Sequence, residues 1–252
     1  CNDTNKALKL LTQVGLGDAT LFISTYEKLS DSQQYRAQLY NRLLNTTGPI
    51  FLDEFLSTLD RKTARPVAYV FGKVCRRLNR QLVVAEPHGD LKNYLQPDLT
   101  IRGKAFPSRW EVVEHNQNPS NPFISNYNIE EKDKEWYNGC RLGELHYRGK
   151  YTGGVKEYRA CYYKDQLVGL LLSTYRMWDG GRRISRLVTH PSYRNCGVGQ
   201  YLVKEYLKEY PKADTVAAMA KYNPVFEKAG IVRVEDSEQN PPSGLTTQLK
   251  DA

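Results

Sequence analysis

The chain has 252 residues, 40% of them hydrophobic, and a formal net charge of +8, which is enough apolar material for one large domain or two small ones. No apolar run approaches the roughly 18 to 20 residues needed to cross a bilayer, and the first thirty residues mix Asn, Asp and Lys rather than forming a signal peptide. Cys1, Cys75, Cys140, Cys161 and Cys196 are scattered, with no C-x-x-C pair, so a cytoplasmic location fits better than a disulfide framework or structural zinc.

The opening residue is Cys rather than Met, which reads as a piece of something longer. From residue 6 to about 102, helix-like segments alternate with two apolar runs, 49–55 and 81–86. These read as buried strands of an α/β unit. Asp53 and Glu54 close the first run. A carboxylate at a strand's C-terminal edge can hold Mg²⁺ through water, while its neighbour orients a hydrolytic water against a phosphate. Lys73, Arg76, Arg77 and Arg80 form the one dense basic run. Such a run suits a nucleic-acid partner through counterion release, although a solvated helix face is the plainer reading.

Residues 115–128 are rich in Asn and Pro and read as irregular. The expected division is therefore a first domain over 1–107, a linker over 108–128 and a second domain over 129–252. The second begins with a helix candidate at 129–137. Strands follow at 157–163, 167–175 and 183–189, then an amphipathic helix at 197–210, a strand at 215–219, a helix at 224–229 and a strand at 231–235.

The most informative segment is 184–203, ISRLVTHPSYRNCGVGQYLV, where a strand leads through His190 and Pro191 into a glycine-bearing turn and a helix. Gly197 and Gly199 let the backbone approach a ligand, and the amides from Asn195 through Cys196 and Val198 to Gln200 lack acceptors at a helix start. With the helix dipole, and Arg194 as a fixed cation, the turn suits a diphosphate.

Together with A-K-Y-N-P-V-F-E-K-A-G-I at 220–231, this segment resembles the GNAT acyltransferase family over residues 147–235. The resemblance implies an α+β fold with a mixed, splayed central sheet. It also implies acetyl-CoA or another acyl-CoA as donor and an amine as acceptor. The backbone of Leu187, Val188 and Thr189 would pair with pantetheine, residues 194–200 would hold the diphosphate, and Asn223 would join the cofactor site. The strand matching 184–189 carries Arg186 where many members have Glu. His190 is therefore the leading candidate base, ahead of Glu111, Glu114, His115 and Glu144. The family's acid Tyr falls on Phe226, which has no proton to donate; Tyr222, one turn earlier, is the candidate substitute.

The first half carries a second ordered series: Leu-Ser-Asp-Ser-Gln at 29–33, Asp53-Glu54, Ser-Thr-Leu-Asp at 57–60, and His88 after the second apolar run. It resembles the C-terminal part of an ABC ATPase domain. By that resemblance Ser30, Asp31, Ser32, Gln33, Asp53, Glu54, Asp60 and His88 would handle ATP, with Mg²⁺ at Asp53 and Glu54 as the catalytic carboxylate. Asp31 and Ser32 replace two glycines of the signature, and no G-x-x-x-x-G-K-[ST] loop occurs. This polypeptide is therefore expected not to hydrolyse ATP alone, and a head-to-tail homodimer is implied. The leading reading is an N-acyltransferase coupled to a nucleotide module; the alternatives are a nucleic-acid base-modifying enzyme and a non-catalytic, nucleotide-controlled scaffold.

Overall fold

The computed structural model describes residues 10–13, 16, 24–104, 109–115, 120–146, 153–177, 179–216 and 224–233. The chain divides into two compact units, Cys1–Ser125 with Pro191–Cys196, and Asn126–His190 with Gly197–Ala252.

In the first unit, α1 (Asp31–Asn45) starts at Ser30, whose extended backbone and capping box with Gln33 satisfy donors that a helix start leaves over. Strands β1 (Ile50–Leu52) and β2 (Leu82–Val84) are parallel neighbours in register Ile50↔Leu82. Between them runs α2 (Arg61–Arg77), capped by Asp60, whose Oδ1 accepts from the Thr63 amide at 3.0 Å. Helix α2 buries Ala64, Val67, Ala68, Phe71, Val74 and Cys75, the three- and four-residue spacing of one helical face. A short helix, α3 (Lys92–Leu95), precedes an antiparallel hairpin of β3 (Leu99–Lys104) and β4 (Arg109–Glu114).

Two expectations need correcting here. The apolar runs at 49–55 and 81–86 form only three-residue strands, and they are not buried on both faces, because Phe51 and Val83, paired in register, are 65% and 51% exposed. The segment expected as a linker contains β4, whose alternation across Trp110, Val112 and Glu114 was hidden by the flanking Pro and Asn.

The second unit is built on a five-stranded sheet in the order β5-β6-β7-β8-β9. Strands β5 (Tyr127–Lys132), β6 (Val155–Tyr163), β7 (Gln166–Tyr175) and β8 (Arg182–Thr189) are antiparallel neighbours, while β9 (Asp214–Thr215) joins β8 in parallel. Helix α4 (Lys134–Gly139) and the 3₁₀ turn Arg141–Leu145 follow β5; α5 (Val198–Glu209) connects β8 to β9, and α6 (Val225–Ala229) comes last. This is an α/β fold with a mixed sheet. The helix expected at 129–137 is strand up to Lys132 and helix only from Lys134, because Asp133 caps the later start through the Trp136 amide. Residues 231–233 form no strand, and the rest of that expected element lies outside the described residues.

Sheet packing explains two positions. One core cluster joins Tyr137, Leu142, Tyr158, Leu170, Leu172 and Val188. At Gly169 on β7, an added Cβ would stand 2.5 Å from Val198 Cγ1 and 2.9 Å from Leu202 Cδ1, so the missing side chain is what lets α5 approach the sheet. Arg159 on β6 is buried, bonds Glu157 and Glu209, and lies 4.8 Å from the Tyr206 ring centroid.

Candidate active site

The C-terminal part of β8 offers an edge. Between Leu172 and Ser173 the β7–β8 register shifts, leaving Ser185 as an extra residue. The His190 amide donates to Val168 O at 2.8 Å, and bonded pairs alternate along an antiparallel ladder. His190, Val188 and Arg186 therefore turn their backbone groups to β7, and Leu187 and Thr189 turn theirs to the opposite edge. Strand β9 occupies that edge only at Arg183 and Ile184 among the described residues. Leu187 and Thr189 thus turn their backbone groups to the side away from β7, whereas the Val188 backbone is committed to β7 by the pleat and its side chain is buried.

The turn after β8 is firmly built. Tyr193 and Cys196 are buried; Cys196 donates its amide to Tyr193 O at 3.2 Å, and the Arg194 amide points to Pro191 O at 3.4 Å. The expected run of outward amides from Asn195 to Gln200 is therefore shorter, because the Cys196 amide is already bonded. Asn195 adopts φ +66 and donates its side-chain amide to Thr12 O and Gln13 O at 3.1 and 3.2 Å. Burial pushes the Cys196 thiol up to about 12, so it stays protonated. Gly197, at φ +89, caps α5, a conformation strained for any residue with a Cβ. The amides of Val198, Gly199 and Gln200 follow in the first helical turn, where the helix supplies no acceptor. The Gln200 side chain donates to Lys228 O at 2.8 Å. This arrangement fits a diphosphate, with the donor set starting at Gly197.

A cavity of about 800 Å³ opens in the second unit, lined by Glu135, Trp136, Cys140 and Arg141, by Leu142, Glu144, Leu145 and Leu167, and by His190. Its walls come from α4, the 3₁₀ turn, the start of β7 and the end of β8. His190 is held there by its own backbone bond at the β8 terminus. Beneath the wall, Gly143 leaves room for Tyr137, since an added Cβ would lie 2.8 Å from the Tyr137 hydroxyl. Burial raises the Tyr137 hydroxyl pKa. Of the sequence candidates, His190 and Glu144 meet at this cavity. Glu111, Glu114 and His115 belong to the first unit's hairpin, where His115 Nε2 lies 2.9 Å from Thr100 Oγ1. Tyr222 and Asn223 lie outside the described residues. Glu135, Trp136 and Arg141 were not singled out from sequence, because their convergence on His190 depends on sheet pairing rather than spacing.

The nucleotide series occupies defined local positions. Ser30 and Gln33 form the capping box of α1, with Ser32 Oγ 3.4 Å from Ser30 Oγ and Asp31 in the first turn. Asp53 and Glu54 follow β1, the Glu54 amide donating to Asp53 Oδ1 at 2.9 Å. Asp60 caps α2, and His88 lies in the bend after β2. The basic run at the end of α2 and just after it makes local bonds, while Lys73 and Arg77 remain exposed. Lys73 Nζ reaches Asn195 O at 3.3 Å, Arg76 Nη1 reaches Leu95 O and Gln96 O at 2.9 and 3.1 Å, Arg80 Nη1 reaches Thr47 O at 3.2 Å, and Arg77 bonds Gln13.

Among the described residues Cys75, Cys140, Cys161 and Cys196 are buried and form no disulfide, and no helix is long and apolar enough to cross a membrane. The carboxylate oxygens of Glu131, Glu157 and Glu209 lie within 4.8 Å of one another, but Arg159 sits among them as the cation.

Most of the mixed sheet, the end of β8 and the turn into α5 fall within one span that a family model matches. Residues 132–242 match the family model described as an acetyltransferase (GNAT) domain, so the chain carries a GNAT acetyltransferase domain over that span. No curated protein sequence matches the chain. Three of the solved structures that align with it do so at low identity. An aminoglycoside acetyltransferase from an uncultured soil metagenomic sample is 13% identical, covering 44% of this chain and 92% of its own, with a TM-score of 0.36. A GNAT family acetyltransferase from Streptococcus pneumoniae is 16% identical over 46% and 94%, TM-score 0.32. A possible acetyltransferase from Clostridium difficile is 13% identical over 43% and 92%, TM-score 0.34.

Proposed function

We propose that the protein is an acetyl-CoA-dependent N-acyltransferase whose acceptor amine enters the cavity beside His190. The observation that carries this reading is the placement of His190 in the cavity wall at the end of β8, one residue beyond the edge where Leu187 and Thr189 offer backbone groups. Acetyl-CoA supplies a thioester already activated toward attack, so the protein has chiefly to position the amine and remove its proton. Residues 197–200, with Arg194, would hold the diphosphate, and Leu187 and Thr189 would pair with the pantetheine amides. His190 would take the proton released as the N–C bond forms, and the departing thiolate would be protonated by solvent or by Tyr222. Glu135 and Glu144, set against Arg141, leave the cavity lining with one carboxylate in excess, which favours a cationic acceptor over an anionic one. The test is mass spectrometry of diamines, Lys-bearing peptides, tRNA and DNA after incubation with acetyl-CoA. An acetylated amine supports the reading. Modification of nucleic acid alone would transfer it to base modification, and failure to bind acetyl-CoA at millimolar concentration would leave only a binding module.

A second reading concerns the first unit. Because β1 and β2 are parallel neighbours, the loops bearing Asp53-Glu54 and His88 leave the sheet at the same end, where α/β sheets place ligands. An ATP site with Mg²⁺ at Asp53, completed across a dimer, would use that end. Equilibrium dialysis with ATP and Mg²⁺ tests it: retention abolished by Asp53→Asn supports the site, and no retention ends it.

A further inference from the structure

We infer that Asn121 is a positioning residue that sets the direction of the Gly197 amide. The inference rests on the reading that residues 197–200 hold the diphosphate of acetyl-CoA. Asn121 Nδ2 donates to Cys196 O at 2.7 Å. Across a trans peptide the carbonyl and the following N–H point in opposite directions, so fixing Cys196 O toward Asn121 turns the Gly197 N–H away from it. That amide is the first donor of the turn, since the one before it is bonded to Tyr193 O.

The orientation of Asn121 is itself determined. Its Oδ1 accepts from the Phe123 amide at 3.0 Å, which leaves the Nδ2 group to face Cys196; exchanging the two atoms would set donor against donor and acceptor against acceptor. Phe123 is fully buried, with ring centroids 5.5 Å from Tyr69, 5.3 Å from Tyr94 and 5.8 Å from Tyr193. The preceding peptide is held in the same way, by Lys73 Nζ on Asn195 O. Both carbonyls thus have dedicated donors, and a rotation of either peptide would lose one. Helix starts ordinarily present their amides without such help; here the direction of the first one is imposed from Asn121.

Asn121→Asp keeps the acceptor for the Phe123 amide and replaces the donor facing Cys196 O by a second acceptor, but it adds a negative charge, so the uncharged Asn121→Ala, which also withdraws the donor, is measured beside it and must show the same selective loss. Calorimetry is run with two ligands, acetyl-CoA and S-acetylpantetheine, which lacks the diphosphate. The acetyl-CoA Kd rises about tenfold or more, while the S-acetylpantetheine Kd stays within about twofold of wild type. Equal weakening of both ligands, or of neither, overturns the positioning role. Wild-type protein that binds neither ligand overturns the diphosphate reading and the inference with it. Should Asn121→Asp fail to fold, Asn121→Ala alone is measured with the same pair and must show the same selective loss.

Discussion

Polar residues in the first unit close on backbone within a few residues or on an adjacent element. Ser30 and Gln33 cap α1, Asp60 caps α2, and Lys73, Arg76 and Arg80 each hold a carbonyl. In the second unit, residues 197–200 begin α5 with amides that the helix leaves without acceptors, and Glu135, Arg141 and His190 line a cavity. The residue types overlap; what differs is that in the second unit titratable side chains line a cavity close in sequence to a helix start, which makes that unit the candidate seat of catalysis.

The largest expected effect breaks the comparison if it fails. His190→Gln lowers kcat by about 10² to 10⁴, with acetyl-CoA affinity unchanged, in a steady-state assay paired with calorimetry. A variant retaining more than about a tenth of the rate would remove His190 as base. Arg159→Ala sharpens the comparison by asking whether a polar group used for structure in the second unit behaves as those in the first do. It leaves Glu157, only 11% exposed, with Arg182 at 4.0 Å as its remaining cation, and should cost about 3 kcal/mol in urea unfolding. Loss of less than about 1 kcal/mol would mean that water replaces the guanidinium. Gly169→Ala follows at about 1–3 kcal/mol, since its Cβ would press on Val198 and Leu202 and displace α5. A variant as stable as wild type would show that α5 has room to shift.

The second unit was readable where sequence order carries the geometry. A strand leading into a glycine-bearing turn and a helix is local, so β8, Gly197 and α5 fell close to their expected places. The cavity was not readable, because Glu135 and His190 are separated by the whole of β6, β7 and β8 and meet only through strand pairing. Commitment of Val188 to β7 depends on the extra residue Ser185, which shifts the pleat and leaves no mark in the hydrophobic pattern. In the first unit, Ser30-x-x-Gln33 was read as a nucleotide signature, yet the same spacing is a capping box. The motif is compatible with either reading, and the backbone bonds show what it does locally. Residues 129–137 misled differently: alternating charge looked helical, but β5 pairs with β6 from Tyr127 to Lys132, and a strand partner thirty residues away leaves no local trace.

The smallest effect tests the capping assignment through pH. A side-chain hydrogen bond from Thr63, followed by backbone bonds, holds the Asp60 carboxyl below the usual carboxylate range. The ionised form is thus favoured in the folded state, and its contribution is complete above the unfolded value near about 3.9 and fades as pH falls through the lower folded value. Asp60→Ala should cost about 1 kcal/mol at pH 7, and the gap to wild type should shrink below about pH 4. Asp60→Asn, which keeps an acceptor for the Thr63 amide but cannot ionise, should retain most of the cap without that pH dependence. Acetyl transfer should be unaffected by either change. A fall in kcat for Asp60→Asn at unchanged stability would show that Asp60 does more than cap α2, and the assignment of catalysis to the second unit alone would no longer stand.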